Sequence, residues 1–164
     1  MKDVLGYEGK RVIVTGAGSG IGAATTALLV ELGAEVHAVD VVKPEVSGIA
    51  SFSECDLGDH LQIVDTVKRI GAYLNAVFLC APMTTDAQQR MIDAVIPLLL
   101  PGAALVHVVG MDDDPVFAGS GDVRSNCVRL GTSDASATAW LLAFLNSPRA
   151  SAVTGSTLVA REAL

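Results

Sequence analysis

Short segments rich in β-branched residues alternate with helical segments along almost the whole of this 164-residue chain. The first is Arg11–Thr15, a segment typical of a buried strand, and it precedes the helix-like Ile21–Leu32, which ends at Gly33. A second strand-like segment, Glu35–Val39, follows. Parallel strands need crossover connections and are apolar on both sides. The alternation therefore predicts an α/β fold with a doubly wound, mostly parallel sheet and helices on both faces.

The rest of the chain continues this alternation and shows no domain boundary, so we expect a single domain over residues 1–164. Asp59 is the predicted N-cap of a helix, and Pro101 with Gly102 is expected to end another. The remaining predicted strands are Ala50–Cys55, Asn75–Cys80, Ala104–Val109, Val123–Val128 and Ser156–Ala160, and the remaining predicted helices are Leu61–Ile70, Gln88–Leu100 and Ala135–Leu145. Between the fifth and sixth strands, Gly110–Asp122 is predicted to be a loop, so one crossover lacks its helix.

Composition excludes several classes of protein. Hydrophobic residues make up 51% and charged residues 18%, which excludes a disordered chain. The net charge of −7 and the lack of a Lys/Arg cluster disfavour nucleic acid as a partner. Three cysteines without C-x-x-C spacing predict neither a metal site nor a disulfide framework, and they fit a cytoplasmic protein. The apolar stretch Met91–Val109 contains an Asp and two prolines, so we interpret it as helix, turn and strand; the first residues lack a signal-peptide pattern.

The sharpest motif is a glycine-rich turn at residues 15–22, TGAGSGIG, between the first strand and the first helix. Glycines without β-carbons let a backbone approach a pyrophosphate closely, and a helix N-terminus offers free N–H groups and a positive dipole end. We therefore predict that Gly16, Ser19, Gly20 and Ile21 bind the phosphates of a dinucleotide. A tight turn without a ligand is the less favoured alternative.

An acid at the end of the second strand completes this dinucleotide pattern. Asp40 follows Gly22 by 18 residues, near the spacing of about 20 at which an acid accepts the ribose hydroxyls. Its charge would repel a 2′-phosphate, and no Arg stands at Val41 or in the turn. The sequence therefore predicts NAD(H) as the cofactor in preference to NADP(H).

These residues make the chain resemble the short-chain dehydrogenases/reductases, whose Thr-Gly-x-x-x-Gly-x-Gly pattern matches Thr15 to Gly22. The resemblance implies a Rossmann-like fold, places Asp56 and Leu57 beside adenine, and places Ala81 beside the cofactor after the fourth strand. Pro82 stands where the family has glycine. Later segments that match the family are Asp122–Gly131, Phe144–Pro148 and Val153–Gly155.

The catalytic part of the family pattern is missing. Members use a Tyr-x-x-x-Lys pair on a long helix between the fifth and sixth strands, assisted by Ser and Asn. Here Tyr7 is followed four residues on by Arg11, Tyr73 by Val77, and the serine position falls at Gly110. The fold is thus expected to be reduced by loss of this helix, and no catalytic residue is assigned.

Two other residues could take over chemistry, although the structural alternative is favoured for each. His107 precedes the acidic Asp112–Asp114 and could act in acid–base catalysis, but a packed strand histidine beside a solvated loop is the favoured interpretation. Cys80 could be a nucleophile, but no base lies near it in sequence, and a buried thiol is favoured.

Three functions remain open at this point: an NAD(H)-binding relative of the dehydrogenases with little or no turnover alone, an active oxidoreductase with a non-standard or partner-supplied proton relay, and a structural subunit with a vestigial cofactor site. Loss of a helix would expose several hundred Å² of apolar sheet, worth on the order of ten kcal/mol. We therefore expect a second copy or a related subunit to cover this uncovered sheet face.

Overall fold

The computed structural model describes residues 2–118 and 121–162. Its seven strands form one parallel sheet in the order β3-β2-β1-β4-β5-β6-β7. From β1 the chain proceeds to β2 and β3 on one side, and from β4 it proceeds to β5, β6 and β7 on the other side. The strand order therefore reverses between β1 and β4. The strands are β1 (Arg11–Thr15), β2 (Glu35–Asp40), β3 (Ser51–Glu54), β4 (Leu74–Leu79), β5 (Leu99–Gly110), β6 (Arg124–Leu130) and β7 (Thr157–Ala160). The predicted doubly wound, Rossmann-like sheet is confirmed.

Four α-helices cross between the strands, and three of them begin at predicted types of N-cap residue. The Asp59 carboxylate accepts a hydrogen bond from the Leu61 N–H at 2.9 Å, as its position predicts, and Asp134 caps the last helix. Thr84 caps the third by accepting from the Ala87 N–H. The helices are α1 (Gly20–Glu31), α2 (His60–Ile70), α3 (Thr85–Val95) and α4 (Ala135–Asn146).

The third helix is shorter than the sequence predicts, and the fifth strand is longer. The predicted helix Gln88–Leu100 ends at Val95 and continues as a single 3-10 turn, Ile96–Leu98. Pro97 lacks the N–H that a continuing α-helix requires, and Leu99 already pairs with Leu74 of β4. The stretch Met91–Val109 is therefore helix, turn and strand, as interpreted above. No helix within residues 2–118 and 121–162 has both the length and the apolar character needed to span a bilayer.

Two apolar layers enclose the sheet. Val12 and Val14 of β1 pack toward α1 and α4, whereas Ile13 packs toward α2 and α3. Side chains alternate between the two faces of a strand, so a sheet covered on both sides must be apolar at consecutive positions. This requirement explains the continuous apolar runs that predicted the strands.

The crossover from β5 to β6, residues 111–123, contains no helix among its described residues; residues 119 and 120 of the predicted loop lie outside the description. The chain instead returns across the sheet on the face of α2 and α3. The Val116 N–H donates to His107 Nε2 at 3.1 Å, and the Ala118 N–H donates to Ser125 Oγ at 3.0 Å. The loss of the family helix is thus confirmed, and the chain's own crossover buries His107 and Cys127 beneath it.

Candidate cofactor site and adjoining cavity

In the glycine-rich turn after β1, some positions lack room for a β-carbon, and another has a positive φ but open space around it. A β-carbon at Gly22 would lie 1.9 Å from the Gly16 carbonyl oxygen, and one at Gly18 would lie 2.3 Å from the Val42 carbonyl oxygen, so packing alone excludes side chains there. Gly20 has φ +53°, but a β-carbon there would meet no atom within 4 Å. The turn is therefore closed on its inner side and open at Gly20.

The open side of the turn presents the N-terminus of α1. Ser19 is the N-cap residue, is exposed, and makes no side-chain hydrogen bond to the helix. The first amides of α1, from Gly20 and Ile21 onward, thus keep their N–H groups free of a side-chain cap. An uncapped helix N-terminus beside an open glycine is a site that fits an anionic group such as a pyrophosphate.

Asp40 connects the end of β2 to the glycine-rich turn. Its Oδ2 accepts from the Gly18 N–H at 2.8 Å, and its Oδ1 accepts from the Val41 N–H at 2.7 Å. A carboxylate has about four acceptor positions, so it can still accept ribose hydroxyls. Sequence reasoning found this residue but missed its second role, which is to hold the turn in place.

A cavity of about 350 Å³ adjoins this turn at the carboxyl ends of β2, β3 and β4. Four predicted site residues line it: Asp40, Asp56, Leu57 and Ala81. The structure therefore brings together residues that are up to 41 positions apart in the sequence. The remaining predicted residues, Gly16, Ser19, Gly20 and Ile21, lie on the turn itself.

The contact between the turn and β4 is close. A β-carbon at Gly16 would lie 2.7 Å from the Ala81 backbone nitrogen, and the Ala81 N–H donates to Thr15 Oγ1 at 3.4 Å. Pro82 follows and lines the cavity without filling it. This arrangement leaves room for a ligand along the carboxyl edge on both sides of Ala81.

A second cavity of about 600 Å³ lies farther along the same edge, between α3, β5 and the crossover. Asp113 Oδ2 accepts from the Gly110 N–H at 3.0 Å, and Gln88 lines the cavity from α3. Gln88 is only 2% exposed, and its Oε1 has no hydrogen-bond partner. Sequence reasoning grouped Asp113 with its acidic neighbours and missed Gln88, which has no motif to identify it.

The residues considered for replacement chemistry do not form a reactive group. Burial lowers the pKa of His107 to about 4, and its Nε2 is already an acceptor for the crossover. Burial raises the pKa of the Cys80 thiol to about 12, which disfavours a nucleophilic thiolate. His107 is buried in the sheet, as favoured, whereas Cys80 is half-buried and lines the second cavity.

The two tyrosines also lie away from the cavities. The buried Tyr7 hydroxyl donates to the Ala143 carbonyl at 2.7 Å, and burial raises the pKa of this phenol. Tyr73 is 71% exposed and directly precedes β4. No Tyr–Lys pair therefore faces the carboxyl edge in the described structure. No group of three or more His, Cys, Asp or Glu able to hold a metal was found among the described residues.

Comparisons with known proteins agree with this geometry. The chain matches no protein-family profile. It is 39% identical over 72 residues to short-chain dehydrogenase reductase 3c of Arabidopsis thaliana, a match that covers 39% of this chain and 28% of that protein. A mutant short-chain dehydrogenase/reductase of Serratia marcescens superposes with a TM-score of 0.81 at 16% identity, over 94% of this chain and 97% of the other. The chain shares the fold of the short-chain dehydrogenases/reductases and resembles them in sequence over part of its length.

The structure of an NADH-dependent reductase complexed with NAD has a similar fold. It superposes with a TM-score of 0.77 at 18% identity, over 94% of this chain and 95% of the other. The sequence match to the curated relative spans well under half of that protein's length.

Proposed function

We propose that this protein binds NAD(H) at the carboxyl edge of its sheet and has little or no alcohol or carbonyl oxidoreductase activity on its own. The observation that carries the proposal is the glycine-rich turn, which is open only at Gly20 and faces the uncapped N-terminus of α1. The structural relative with bound NAD supports the choice of ligand class. When bound, a nicotinamide cofactor supplies hydride donor and acceptor chemistry.

The proposed roles follow from position. Ser19, Gly20 and Ile21 offer N–H groups and a hydroxyl to the pyrophosphate, next to Gly16. Asp40 accepts the ribose hydroxyls, and its charge repels a 2′-phosphate, which favours NAD(H) over NADP(H). Residues assigned to the adenine and to the adjoining ribose line the cavity beside Asp40; they are Asp56, Leu57 and Ala81.

Weak turnover is proposed because the groups that move protons in the family are not at the site. Tyr7 is held by the Ala143 carbonyl, and Tyr73 is exposed before β4. The crossover that would carry the Tyr–Lys helix is instead used to cover β5 and β6. General acid–base catalysis contributes roughly a hundredfold to ten-thousandfold, so its absence would leave little activity.

An active oxidoreductase with a non-standard proton relay is the second candidate, and one residue favours it. Asp113 lines the cavity beside Gly110 at the carboxyl end of β5. A carboxylate there could act as a general base for a bound hydroxyl. Turnover of alcohols or ketones by the wild type, lost in Asp113→Asn with NADH binding intact, would support this candidate over the first.

The proposed function is tested by fluorescence titration with NADH and NADPH. We expect NADH to bind, NADPH to bind roughly tenfold more weakly, and Asp40→Asn to narrow that difference because it removes the charge that repels the 2′-phosphate. Asp59→Asn is the matched control, since Asp59 also accepts backbone N–H groups but lies at the start of α2. Failure of the wild type to bind NADH would overturn the proposal.

We further propose that a second copy of this chain covers the part of the α2/α3 face that the crossover leaves open. Met111 at the start of the crossover and Val159 on β7 are each 47% exposed there. Arg129 lies between them: its guanidinium donates to the Met111 carbonyl, and its backbone pairs with Val159 in the sheet.

The cysteines Cys55, Cys80 and Cys127 are free thiols, which fits the proposed cytoplasmic location.

A further inference from the structure

The amino edge of the sheet carries a cavity of about 280 Å³, at the end of the strands opposite the proposed cofactor site. Lys10 lines it just before β1, Asn75 near the start of β4 and Arg124 at the start of β6. Pro101 and Pro148 supply apolar surface at its rim. A cavity of this size lies near the lower end of the range for small-molecule sites, so it suits a small ligand.

Lys10 brings to this cavity a positive charge that no protein carboxylate neutralises. The residue is half-buried, and no Asp or Glu among the residues that the structure describes lines the cavity or forms an ion pair with it. Asp3, the acid of the preceding loop, accepts instead from the Gly6 and Glu8 N–H groups. In a chain with 18 acidic and 11 basic residues, a half-buried lysine without an acidic partner indicates that a negative charge is missing from the site.

Arg124 adds a second positive charge and is fixed in one wall of the cavity. Its Nη1 donates to the Leu145 carbonyl at 2.7 Å and to the Ala150 carbonyl at 3.0 Å, and its Nη2 donates to the Ser147 carbonyl at 2.9 Å. These carbonyls satisfy N–H groups but carry no net charge, and burial lowers the pKa of the guanidinium. An anion in the cavity would offset the cost of burying this charge.

Asn75 offers the cavity a neutral donor. Its Oδ1 accepts from the Arg11 N–H at 3.0 Å, and this bond fixes which end of the amide is oxygen. The other end, Nδ2, donates to no group within residues 2–118 and 121–162, and the residue is half-buried at the cavity wall. The cavity therefore combines two cations and an amide donor with apolar surface.

We propose that the amino-edge cavity binds a small organic anion, namely a carboxylate with a compact apolar body. The carboxylate accepts from the Lys10 ammonium group and from Asn75 Nδ2, and the apolar body packs against Pro101 and Pro148. Because Arg124 already donates to backbone carbonyls, Lys10 is the one lining cation described whose N–H groups are all available, which favours a monoanion over a phosphate dianion. The inference goes beyond the proposed function and is independent of it, since the two sites lie at opposite edges of the sheet.

The test is an NMR chemical-shift titration of the full chain with benzoate and with benzyl alcohol, which has the same ring but no charge. We expect benzoate to bind at least roughly tenfold more tightly, because hydrogen bonds to a charged partner are stronger than neutral ones. Lys10→Gln should weaken benzoate binding by roughly tenfold, since it removes the free cation.

Asn75→Asp is the second test variant. It keeps an oxygen that accepts from the Arg11 N–H but replaces the Nδ2 donor by a charged oxygen that repels benzoate, so we again expect a loss of roughly tenfold or more. Arg124 is left unchanged, because its substitution would release several backbone carbonyls.

Lys43→Gln and Gln89→Glu are the matched controls, because each makes the same change of charge at an exposed position outside this cavity. Both should bind benzoate like the wild type, and thermal unfolding of every variant confirms that it is folded. Absence of benzoate binding, equal affinity for benzoate and benzyl alcohol, or unchanged benzoate binding in either folded cavity variant would overturn the inference. Displacement of benzoate by NADH would also overturn it, since the anion would then lie at the glycine-rich turn.

Discussion

The imidazole of His107 and the backbone of Val116 are joined by a hydrogen bond of 3.1 Å in which the ring Nε2 is the acceptor. This bond connects the carboxyl-terminal part of β5 to the returning crossover, and the His107 and Phe117 rings pack edge to face with centroids 5.8 Å apart. The ring must be neutral at Nε2 to accept, and it is 0% exposed. The segment that replaces a helix is therefore held by a group whose protonation would break the contact.

Acidification should destabilise the protein through His107. Its pKa is about 4 in the folded chain against 6.5 for the ordinary group, because burial disfavours the charged ring. Between these values the unfolded chain binds the proton and the folded chain does not, so the free energy of unfolding falls as pH drops from about 6.5 to about 4. The expected loss is about 3 kcal/mol, measured by urea unfolding across this range.

The variant His107→Gln isolates this effect, because glutamine can accept the Val116 N–H but does not titrate. We expect it to be less stable than the wild type near neutral pH and to show a flatter pH dependence below it. His37, whose pKa is also lowered by burial, contributes to the same range and remains in both proteins. Identical pH slopes for the two proteins would contradict the assignment.

Gly20→Ala should weaken NADH binding while leaving the fold intact. A β-carbon there meets no protein atom, so it would project into the space proposed for the pyrophosphate. We expect at least a roughly tenfold loss of affinity by fluorescence titration. Gly9→Ala is a matched control, because Gly9 also has positive φ and an open β-carbon position but lies before β1. Equal NADH affinity in the two variants would argue against phosphate binding at Gly20.

Gly22→Ala should instead unfold or strongly destabilise the protein. Alanine in a helix is ordinarily about 1 kcal/mol more favourable than glycine, but here its β-carbon would lie 1.9 Å from the Gly16 carbonyl oxygen. We expect a net loss of about 3 kcal/mol or more in the free energy of unfolding. Gly121→Ala, which meets nothing within 4 Å, should change stability little. A stabilised Gly22→Ala variant would contradict the packing described for this turn.

The sheet and most of its elements could be predicted because local sequence patterns indicate them. Apolar β-branched runs mark the strands, and Asp59 and Asp134 mark helix starts by side-chain hydrogen bonds to nearby amides. Pro97 marks the end of α3 locally, but the start of β5 at Leu99 could not be placed, because Leu99 enters the sheet only through its partner Leu74, 25 residues away. Non-local pairing of this kind leaves little trace in local pattern.

The site divides in the same way. The glycine-rich turn and Asp40 form a motif with fixed spacing, so they could be identified from the sequence. The contact between Gly110 and Asp113 depends on the path of a crossover without a helix, and the burial of Gln88 depends on the residues packed around it. Neither residue belongs to a sequence motif. The sequence indicated that a helix was missing, but only the folded chain shows what takes its place.

Cysteine labelling should be slow in the native protein. Burial raises the pKa of Cys80 to about 12 and that of Cys127 to about 11, and it also raises the pKa of Cys55. Because the thiolate is the reactive form, iodoacetamide near neutral pH should modify the buried Cys55 and Cys127 only after unfolding, and the half-buried Cys80 only slowly before it. Peptide mass spectrometry assigns each site, with denaturant-treated protein as the positive control. Rapid labelling of Cys80 in the native protein would support the hypothesis that Cys80 is a nucleophile.

Self-association is expected to depend on Val159. This side chain lies on the edge strand β7, on the part of the α2/α3 face that the crossover leaves open. A two-fold interface uses the same patch of both copies, so one substitution changes it twice. Sedimentation at micromolar concentration should show a dimer for the wild type, and Val159→Lys should shift it to monomer because two lysines would then face each other across the axis. Val42→Lys, at another exposed valine beyond β2, should leave the dimer unchanged. A wild-type monomer that is stable and well folded at this concentration would show that the crossover alone compensates for the missing helix.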